Sequence, residues 1–185
     1  VVFGADPYRN GDNCQATDQS GINYLQSPPI TIPADTPAPR LAFDHWVATE
    51  AGWDGGNVKI RVNSSSDGDW TPLQPSAILF NGYNANLNSS SFNSNPLAGE
   101  PAFTGSNSSS VRGSWGQTQV DLSSYAGPGD RVELRLELGY DGCGGLQGWY
   151  VDDVQIYSCG ASVDVALAKQ VTPALVLPGQ EVTFQ

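Results

Sequence analysis

The segment Arg131–Leu138 limits the possible folds more than any other, because apolar and charged residues alternate strictly along it. The apolar positions are Val132, Leu134, Leu136 and Leu138, and the charged positions are Arg131, Glu133, Arg135 and Glu137. A period of two places successive side chains on opposite faces of a β-strand. The pattern predicts a strand with one buried face and one wet face, as antiparallel sheets often have.

Other strand-like runs, separated by turn signals, fill most of the first 160 residues. They are Leu25–Ile32, Leu41–Thr49, Val58–Val62 with Lys59 and Arg61 outward, and Trp149–Tyr157. In the second run, alternation places Leu41, Phe43, His45 and Val47 on one face. No stretch keeps a helical period, and the 21 glycines and 13 prolines favour turns. We therefore expect an all-β, two-sheet antiparallel sandwich with negligible helix.

The charge and composition of the chain exclude some partners. Eight basic and nineteen acidic residues give a net charge of −11. This argues against nucleic acid and anionic membrane surfaces, which attract Lys and Arg clusters. No apolar run reaches the length of a membrane span. The absence of Met and the many Asn, Ser and Thr residues are typical of secreted bacterial proteins, so we expect an extracellular location.

The three cysteines are Cys14, Cys143 and Cys159. In an extracellular protein an odd number predicts one disulfide and one remaining thiol. Three pairings are possible, and we favour Cys14 with Cys159 because the first and last core strands of such a sandwich are antiparallel neighbours. A zinc site is not expected, since the chain has one histidine and no Cys-x-x-Cys motif.

Asp152 is the acidic residue that the strand pattern singles out. Alternation along Gly148–Cys159 places Tyr150, Asp152, Val154 and Ile156 on one face. A carboxylate among three large apolar side chains must be hydrogen-bonded, paired with a cation or bound to a metal. We expect Asp152 to point inward as the first candidate ligand of a cation.

Three further acidic sites are candidates for oxygen ligands of calcium. Asp6 opens an Asp/Asn-rich loop before the first strand, and this loop could equally form Asx turns. Glu50 and Asp54 flank a tight turn, where Asp54 could instead cap the turn. The loop Asp141–Gly145 is interpreted as a glycine-enabled turn.

The sequence contains no catalytic motif that we recognise. His45 is the only imidazole and lies in mid-strand beside Phe43 and Val47, so we expect a structural histidine rather than a general base. The long segment from Asn81 to Trp115 is rich in Asn, Ser and Gly and carries four aromatic residues. It predicts an ordered insertion that covers a sheet, with a binding loop as the alternative.

After Gly160 the residue pattern changes. The segments Asp164–Pro173 and Pro178–Phe184 resemble the opening of a bacterial surface repeat with an Ig-like fold. We therefore divide the chain into a module over residues 1–160 and the truncated start of an Ig-like repeat over 161–185, as part of a longer protein. Twenty-five residues cannot bury a core alone, so this segment should be an appendage.

Several motifs in residues 1–159 together resemble the non-catalytic jelly-roll modules of secreted bacterial peptidases, which are similar to the MAM domain. The motifs are Ala38–Glu50, Trp53–Gly56, Asn95–Gly99, Gly113–Gln117 and Gly148–Val154 with its Asp-Asp pair. The resemblance implies an antiparallel jelly roll with a structural calcium ion. It implies Asp152 as the firmest ligand, and Asp6, Glu50 and Asp54 as weaker ones.

These observations predict a non-catalytic accessory module of a larger secreted protein, for which a peptidase is the expected parent. Its expected partners are a protein or glycan ligand and the neighbouring domains of the parent chain. One alternative is a carbohydrate-binding module that uses exposed aromatic residues, for which Trp46, Trp53, Trp70, Tyr83 and Trp115 are the candidates. The other alternative is an inert structural spacer. Fold alone does not choose among them.

Overall fold

The structure is a computed structural model that describes residues 2–5, 20–106, 115–158, 171–172 and 183–184. The described part is all-β, with two one-turn 3-10 segments, Asp67–Asp69 and Pro75–Ala77. Its strands are β1 (Val2–Ala5), β2 (Gly21–Gln26), β3 (Ile30–Thr31), β4 (Pro39–Ala48), β5 (Gly55–Val62), β6 (Thr71–Pro72), β7 (Ile78–Phe80), β8 (Ala85–Asn86), β9 (Pro101–Thr104), β10 (Trp115–Asp121), β11 (Arg131–Tyr140), β12 (Gly148–Ser158), β13 (Val171–Thr172) and β14 (Thr183–Phe184). The described residues contain no helix that could span a membrane.

Two antiparallel sheets pack against each other. The first sheet has the strand order β1-β12-β4-β10-β7, and the second has β2-β11-β5-β9-β8 with β3 beside β11 and β6 beside β5. The long strands alternate between the sheets along the chain: β4, β10 and β12 belong to the first, and β5 and β11 to the second. This is jelly-roll connectivity, so the predicted all-β, two-sheet antiparallel jelly-roll sandwich is confirmed.

The core lies between the sheets and is built by the alternation read from the sequence. The inward residues of β11 are 5% exposed or less, and they are Val132, Leu134, Leu136 and Leu138. From the facing sheet, Leu41, Phe43 and His45 of β4 point inward, as predicted. Full burial of one such large side chain stabilises the fold by roughly 1.5–3 kcal/mol.

The outer face of the second sheet is not the wet face that we expected. Glu133 is 6% exposed and Glu137 is 4% exposed. Arg61 points to this outer face as predicted, but it too is buried, with its guanidinium 4.5 Å from the Trp70 ring centroid. Arg61 lies directly opposite Glu133 on the neighbouring strand and forms a buried ion pair with it, while Lys59 reaches diagonally to Glu137.

The prediction that Asp152 points into the core is wrong. Trp149 and Val151 are the inward residues of β12, at 3% and 5% exposure. The pairing of β12 with β4 then shifts register between Asp152 and Gln155, where Asp153 has a φ of +47°. This bulge reverses the alternation, so Asp152 lies on the outer side and Val154 is 40% exposed, while Ile156 packs against the core.

The predicted first strand, Leu25–Ile32, is two strands. β2 ends at Gln26 and β3 begins at Ile30, with Pro28 and Pro29 between them. Proline cannot donate a hydrogen bond to the strand ladder, which accounts for the interruption.

The described part of the long segment after Asn81 is an ordered insertion that packs against the sandwich, as we expected. Leu87, Leu97 and Ala102 are buried and form a small second core with Ile22. Asn95 is 2% exposed and donates a hydrogen bond to the Trp53 carbonyl over 2.8 Å. The segment thus fixes the turn between β4 and β5. Its residues 107–114 lie outside the described part.

Near the chain end, β13 pairs with β14 in an antiparallel ladder. The division into a module of residues 1–160 and the start of an Ig-like repeat over 161–185 stays a prediction, because most of the latter lies outside the described residues.

Candidate functional site

Three acidic residues form a cluster at one end of the sandwich. Glu50 and Asp54 lie in the turn after β4, and Asp141 follows β11. One carboxylate oxygen of each lies within 4.8 Å of the others. Asp54 is 1% exposed, Asp141 is 7% exposed and Glu50 is half-buried. We call these three residues the carboxylate cluster.

Local hydrogen bonds hold the carboxylate cluster in shape. In the turn, the backbone N–H groups of Trp53 and Asp54 both donate to the Glu50 carbonyl, at 3.1 and 2.9 Å. Asp54 Oδ1 accepts a hydrogen bond from the Asp141 N–H over 2.8 Å, which ties the turn to the end of β11. Asp141 Oδ1 accepts from the Cys143 N–H over 2.9 Å. Gly144 has a φ of +82°, and any side chain there would collide with the Glu50 carboxylate.

The donor chemistry of the carboxylate cluster fits a hard dication. Three carboxylates held together out of water repel one another, and a divalent cation removes that repulsion. Calcium takes carboxylate, carbonyl and water oxygens in a flexible arrangement, so three carboxylates at two loop ends suit it. The residues that would hold the ion are Glu50, Asp54 and Asp141.

The structure brings together two of the four predicted metal ligands. Glu50 and Asp54 are in the carboxylate cluster, whereas Asp152 is not among its members. The loop of Asp6 lies outside the described residues. The sequence interpretation missed Asp141, since we assigned its loop to a glycine turn.

Cys143 is disulfide-bonded, and its partner lies outside the described residues. The expectation that left Cys143 as the free thiol, with Cys14 paired to Cys159, is therefore wrong. The bond attaches the loop of the carboxylate cluster covalently to another part of the chain.

A second candidate site is an aromatic patch on the solvent side of the first sheet. Trp46 of β4 pairs with Trp115 of β10 on one side and with Tyr150 of β12 on the other. These three residues, the aromatic patch, therefore lie in one row across three neighbouring strands. Trp115 is 54% exposed, and the other two are half-buried.

Polar residues flank the aromatic patch. The next outward row, two residues along each strand, contains Gln117, Asp44 and Asp152. Gln117 Nε2 donates to Asp44 Oδ1 over 3.2 Å, and Gln117 Oε1 accepts from Gln119 Nε2 over 2.7 Å. We call Gln117, Asp44 and Asp152 the polar row. Gln147 adds an exposed amide at the other side, and together with the aromatic patch it surrounds an open notch of about 240 Å³.

The aromatic candidates of the sequence interpretation separate into two groups. Trp46 and Trp115 lie in the aromatic patch. Trp70 is engaged by Arg61 and Arg135, and the Tyr83 hydroxyl accepts from the Val58 N–H over 3.1 Å. Trp53 is half-buried in the turn that Asn95 fixes. Tyr150 was missed because the alternation argument had placed it inward.

His45 is a structural residue at the floor of a larger cavity. The cavity has a volume of about 340 Å³ and includes Asn84, Phe103 and Thr104 in its lining. His45 receives a hydrogen bond from Trp149 Nε1 at Nδ1, and its Nε2 is 2.9 Å from Thr118 Oγ1. Burial lowers the pKa of His45 to about 4, although the nearby Asp44 carboxylate opposes this shift. The ring is therefore neutral at pH 7, with its proton on Nε2.

The polar groups around that cavity form hydrogen bonds mainly with other groups of the protein. Asn84 donates to the Thr104 carbonyl over 2.8 Å and accepts from the Thr104 N–H over 2.9 Å. Thr104 Oγ1 donates to the Asp54 carbonyl over 2.6 Å. We assign no ligand to this cavity.

The fold and the two candidate sites define the chain as an antiparallel β-sandwich with an acidic loop cluster and a solvent-facing aromatic row. None of the protein-family models matches the chain, and no curated protein matches it significantly. The resemblance to MAM-like modules of peptidases and to an Ig-like repeat therefore stays a prediction from the sequence motifs.

Proposed function

We propose that the chain is a non-catalytic extracellular accessory module of a larger secreted protein and that it recognises glycans through the aromatic patch. The observation that carries the proposal is the row Trp115–Trp46–Tyr150 on the outer face of the first sheet. A parent peptidase is the form that the sequence resemblance suggests. In that setting the module would attach the parent protein to a glycan-bearing substrate or surface.

The chemistry of the aromatic patch and its surroundings matches a sugar. A sugar ring has an apolar C–H face, which an aromatic ring can cover, and a rim of hydroxyl groups. Ligand sites commonly combine apolar walls with a few placed polar groups that fix orientation. Here the aromatic rings supply the walls, while the polar row and Gln147 supply amide and carboxylate groups beside them.

A protein ligand is the less favoured partner. Stable protein–protein interfaces bury about 1,200–2,000 Å² and have an apolar centre depleted in charge. The aromatic patch is one row of three residues, two of them half-buried, and the carboxylates of Asp44 and Asp152 lie in the next row.

We further propose that the carboxylate cluster holds a structural calcium ion. Its position, between the β4–β5 turn and the loop after β11, would cross-link the two sheets at one end. An ion there would stabilise the fold, and the module would bind its glycan from the sheet face formed by β10, β4 and β12.

The glycan proposal is tested by affinity electrophoresis of the chain through gels that contain single polysaccharides. We expect at least one polysaccharide to retard the wild-type chain and Trp115→Ala to remove the retardation. Phe92→Ala is the matched control, because Phe92 is 78% exposed and lies outside the aromatic patch. If no polysaccharide retards the chain and insoluble crystalline cellulose does not bind it either, or if Trp115→Ala binds like the wild type, the proposal is wrong. The spacer interpretation predicts no retardation at all.

A further inference from the structure

We infer that the notch formed by the aromatic patch and Gln147 binds a single ring of a soluble, uncharged sugar chain, and that it discriminates against acidic sugars. This inference rests on the proposed glycan-binding function and specifies its ligand. Three features of the outer face carry it: the angle between the aromatic rings, the volume of the notch and the charges beside it.

The aromatic rings do not form a flat platform. The ring centroids of Trp46 and Tyr150 lie 5.2 Å apart, and the ring planes meet at 75°. This edge-to-face contact is a preferred aromatic arrangement, so the angle belongs to the packed state of the two side chains. Two rings at nearly a right angle cannot both lie against one planar polysaccharide surface. They can form two adjoining sides of a corner against which one sugar ring packs.

The size and position of the notch agree with one ring. Trp115, on the far side of Trp46, and Gln147, before β12, complete the notch, whose volume is about 240 Å³. Small-molecule sites usually have volumes of about 300–1,000 Å³ for ligands of drug size. A notch slightly below that range suits one sugar ring of a longer chain better than several rings in a row. The exposed Gln147 amide can hydrogen-bond the hydroxyl rim of such a ring.

The charges next to the notch favour an uncharged ligand. Asp44 and Asp152 are paired across β4 and β12, directly beside Trp46 and Tyr150. An ionised carboxylate only accepts hydrogen bonds. Asp44 can therefore receive sugar hydroxyls but repels the carboxylate or sulfate of an acidic sugar. The Asp152 carboxylate already has a partner within the protein, so Asp44 is the main source of this repulsion. The net charge of −11 adds to this repulsion.

Hydrogen bonds on the outer face hold Gln117 and Asp44 of the polar row in place beside the notch. Gln119 donates to Gln117, and Gln117 donates to Asp44, so these side chains form an ordered chain along the outer face. Acceptors that are already oriented lose less conformational entropy when a ligand binds. The polar row thus gives direction to the ring that the aromatic walls hold.

The first experiment measures tryptophan fluorescence during titration with soluble oligosaccharides. The probes are neutral gluco-, manno- and galacto-oligosaccharides and an oligogalacturonate as the acidic probe. We expect saturable binding of at least one neutral probe, competition by the matching methyl glycoside, and no binding of oligogalacturonate. Tyr150→Ala should weaken neutral binding at least tenfold, while Phe92→Ala leaves it unchanged. Thermal melts check that each variant is folded.

A charge variant tests the discrimination itself. In Asp44→Asn/Asp152→Asn, we expect oligogalacturonate to gain measurable binding that decreases with added salt, because screening acts on charge interactions. Neutral binding should weaken in the same variant, because the carboxylates also accept sugar hydroxyls, so the ratio of acidic to neutral binding measures the discrimination. The inference that the notch discriminates against acidic sugars is wrong if the double variant still does not bind oligogalacturonate, or if the wild type binds it.

Insoluble crystalline cellulose separates this inference from the proposed function. If the chain binds cellulose through Trp115 but binds no soluble sugar, glycan recognition stands and the single-ring inference falls. If no carbohydrate binds, or if Tyr150→Ala and Trp115→Ala bind like the wild type, both fall.

Discussion

The indole N–H of Trp149 donates a hydrogen bond to Nδ1 of His45 over 3.1 Å in the centre of the core. Because an indole can only donate, this contact requires Nδ1 to be an acceptor and places the imidazole proton on Nε2. Thr118 Oγ1, 2.9 Å from Nε2, accepts that proton and donates to the Asn81 carbonyl over 2.7 Å. The arrangement connects β12, β4 and β10 and is possible only for the neutral ring.

The neutral state of His45 predicts that the protein loses stability in mild acid. The ordinary pKa of histidine is about 6.5 in the unfolded chain, and burial lowers the pKa of folded His45 to about 4. Between these values the unfolded chain binds more protons, so stability falls as the pH is lowered. We expect a loss of about 2 kcal/mol from this residue between pH 7 and pH 5.

Urea unfolding at these two pH values measures the loss. His45→Gln is the matched variant, since an amide can accept from Trp149 and donate to Thr118 without titrating. The wild type should lose more stability than His45→Gln over the same interval. Equal losses in the two proteins would show that His45 does not cause the pH dependence.

Gly56 is predicted to be a position where a single methyl group destabilises the core. It lies on β5 under the six-membered ring of Trp149, and a Cβ atom there would overlap that ring. Overpacking of this kind costs about 1–3 kcal/mol, so Gly56→Ala should lower the melting temperature by about 2–12 °C.

Gly68→Ala is the control for the Gly56 prediction. Gly68 is exposed, and a Cβ there would have only Ser66 Oγ nearby, at 3.7 Å. Its stability should stay within about 0.5 kcal/mol of the wild type. Thermal unfolding of both variants makes the comparison, and similar melting temperatures would contradict the close packing of Trp149 on Gly56.

How far the fold could be predicted from sequence depends on whether a strand is regular. β11 is regular over its whole length, so its alternation identified Val132 and Leu138 as core residues correctly. β12 contains a bulge at Asp153, and the bulge depends on a backbone conformation for which the residue types give no clear signal. One extra residue reversed the faces and moved Asp152 and Tyr150 outward.

The candidate sites show a similar limit. Glu50 and Asp54 were found because they flank a recognisable turn. Asp141 comes 87 residues after Asp54, and only the pairing of β5 with β11 brings them together. The aromatic patch needed the register among β10, β4 and β12, which the sequence does not state. A local signal for Asp141 existed in the Asp-Gly-Cys-Gly-Gly loop, whose glycines permit a tight approach.

Lys59 is predicted to be essential for the buried charges of the second sheet. Its Nζ lies 2.9 Å from Glu137 Oε2 and 3.3 Å from Glu100 Oε2. Lys59→Met keeps the length of the side chain but removes the nearer of two cations beside the buried Glu137, since Arg135 lies 3.8 Å from Glu137 Oε1. Loss of one partner of a buried pair costs about 3–5 kcal/mol, so we expect a decrease in melting temperature of about 6–20 °C.

The control for Lys59 is an ion pair whose acidic partner is exposed. Asp67 has an 89% exposed side chain and lies 3.5 Å from Arg61 and 3.6 Å from Arg135. Exposed pairs contribute about 0–1 kcal/mol, so Asp67→Asn should change the melting temperature by less than about 4 °C. If thermal unfolding shows that Lys59→Met is as mild as Asp67→Asn, the buried pair is not important for stability.

Calcium should raise the melting temperature of the chain through the carboxylate cluster. An ion that binds only the folded state stabilises it by about 2.7 kcal/mol at a hundredfold excess over Kd. We therefore expect the melting temperature to rise by about 5–11 °C from EDTA to millimolar calcium, if the millimolar concentration is about a hundred times Kd, with a smaller rise in magnesium. Thermal unfolding of the wild type in the three buffers measures this, and an unchanged melt in calcium would remove the ion from the proposal.

Two asparagine variants locate the ion. Asp141→Asn removes one charge from the carboxylate cluster and should abolish most of the calcium response. Asp152→Asn changes a carboxylate on the outer face of β12, away from the cluster, and should keep the full response. The opposite result, a response that survives in Asp141→Asn and disappears in Asp152→Asn, would place the ion where the sequence resemblance first implied. Because each variant exchanges an oxygen for a nitrogen of similar size, differences between their calcium responses report the ion and not a change in packing.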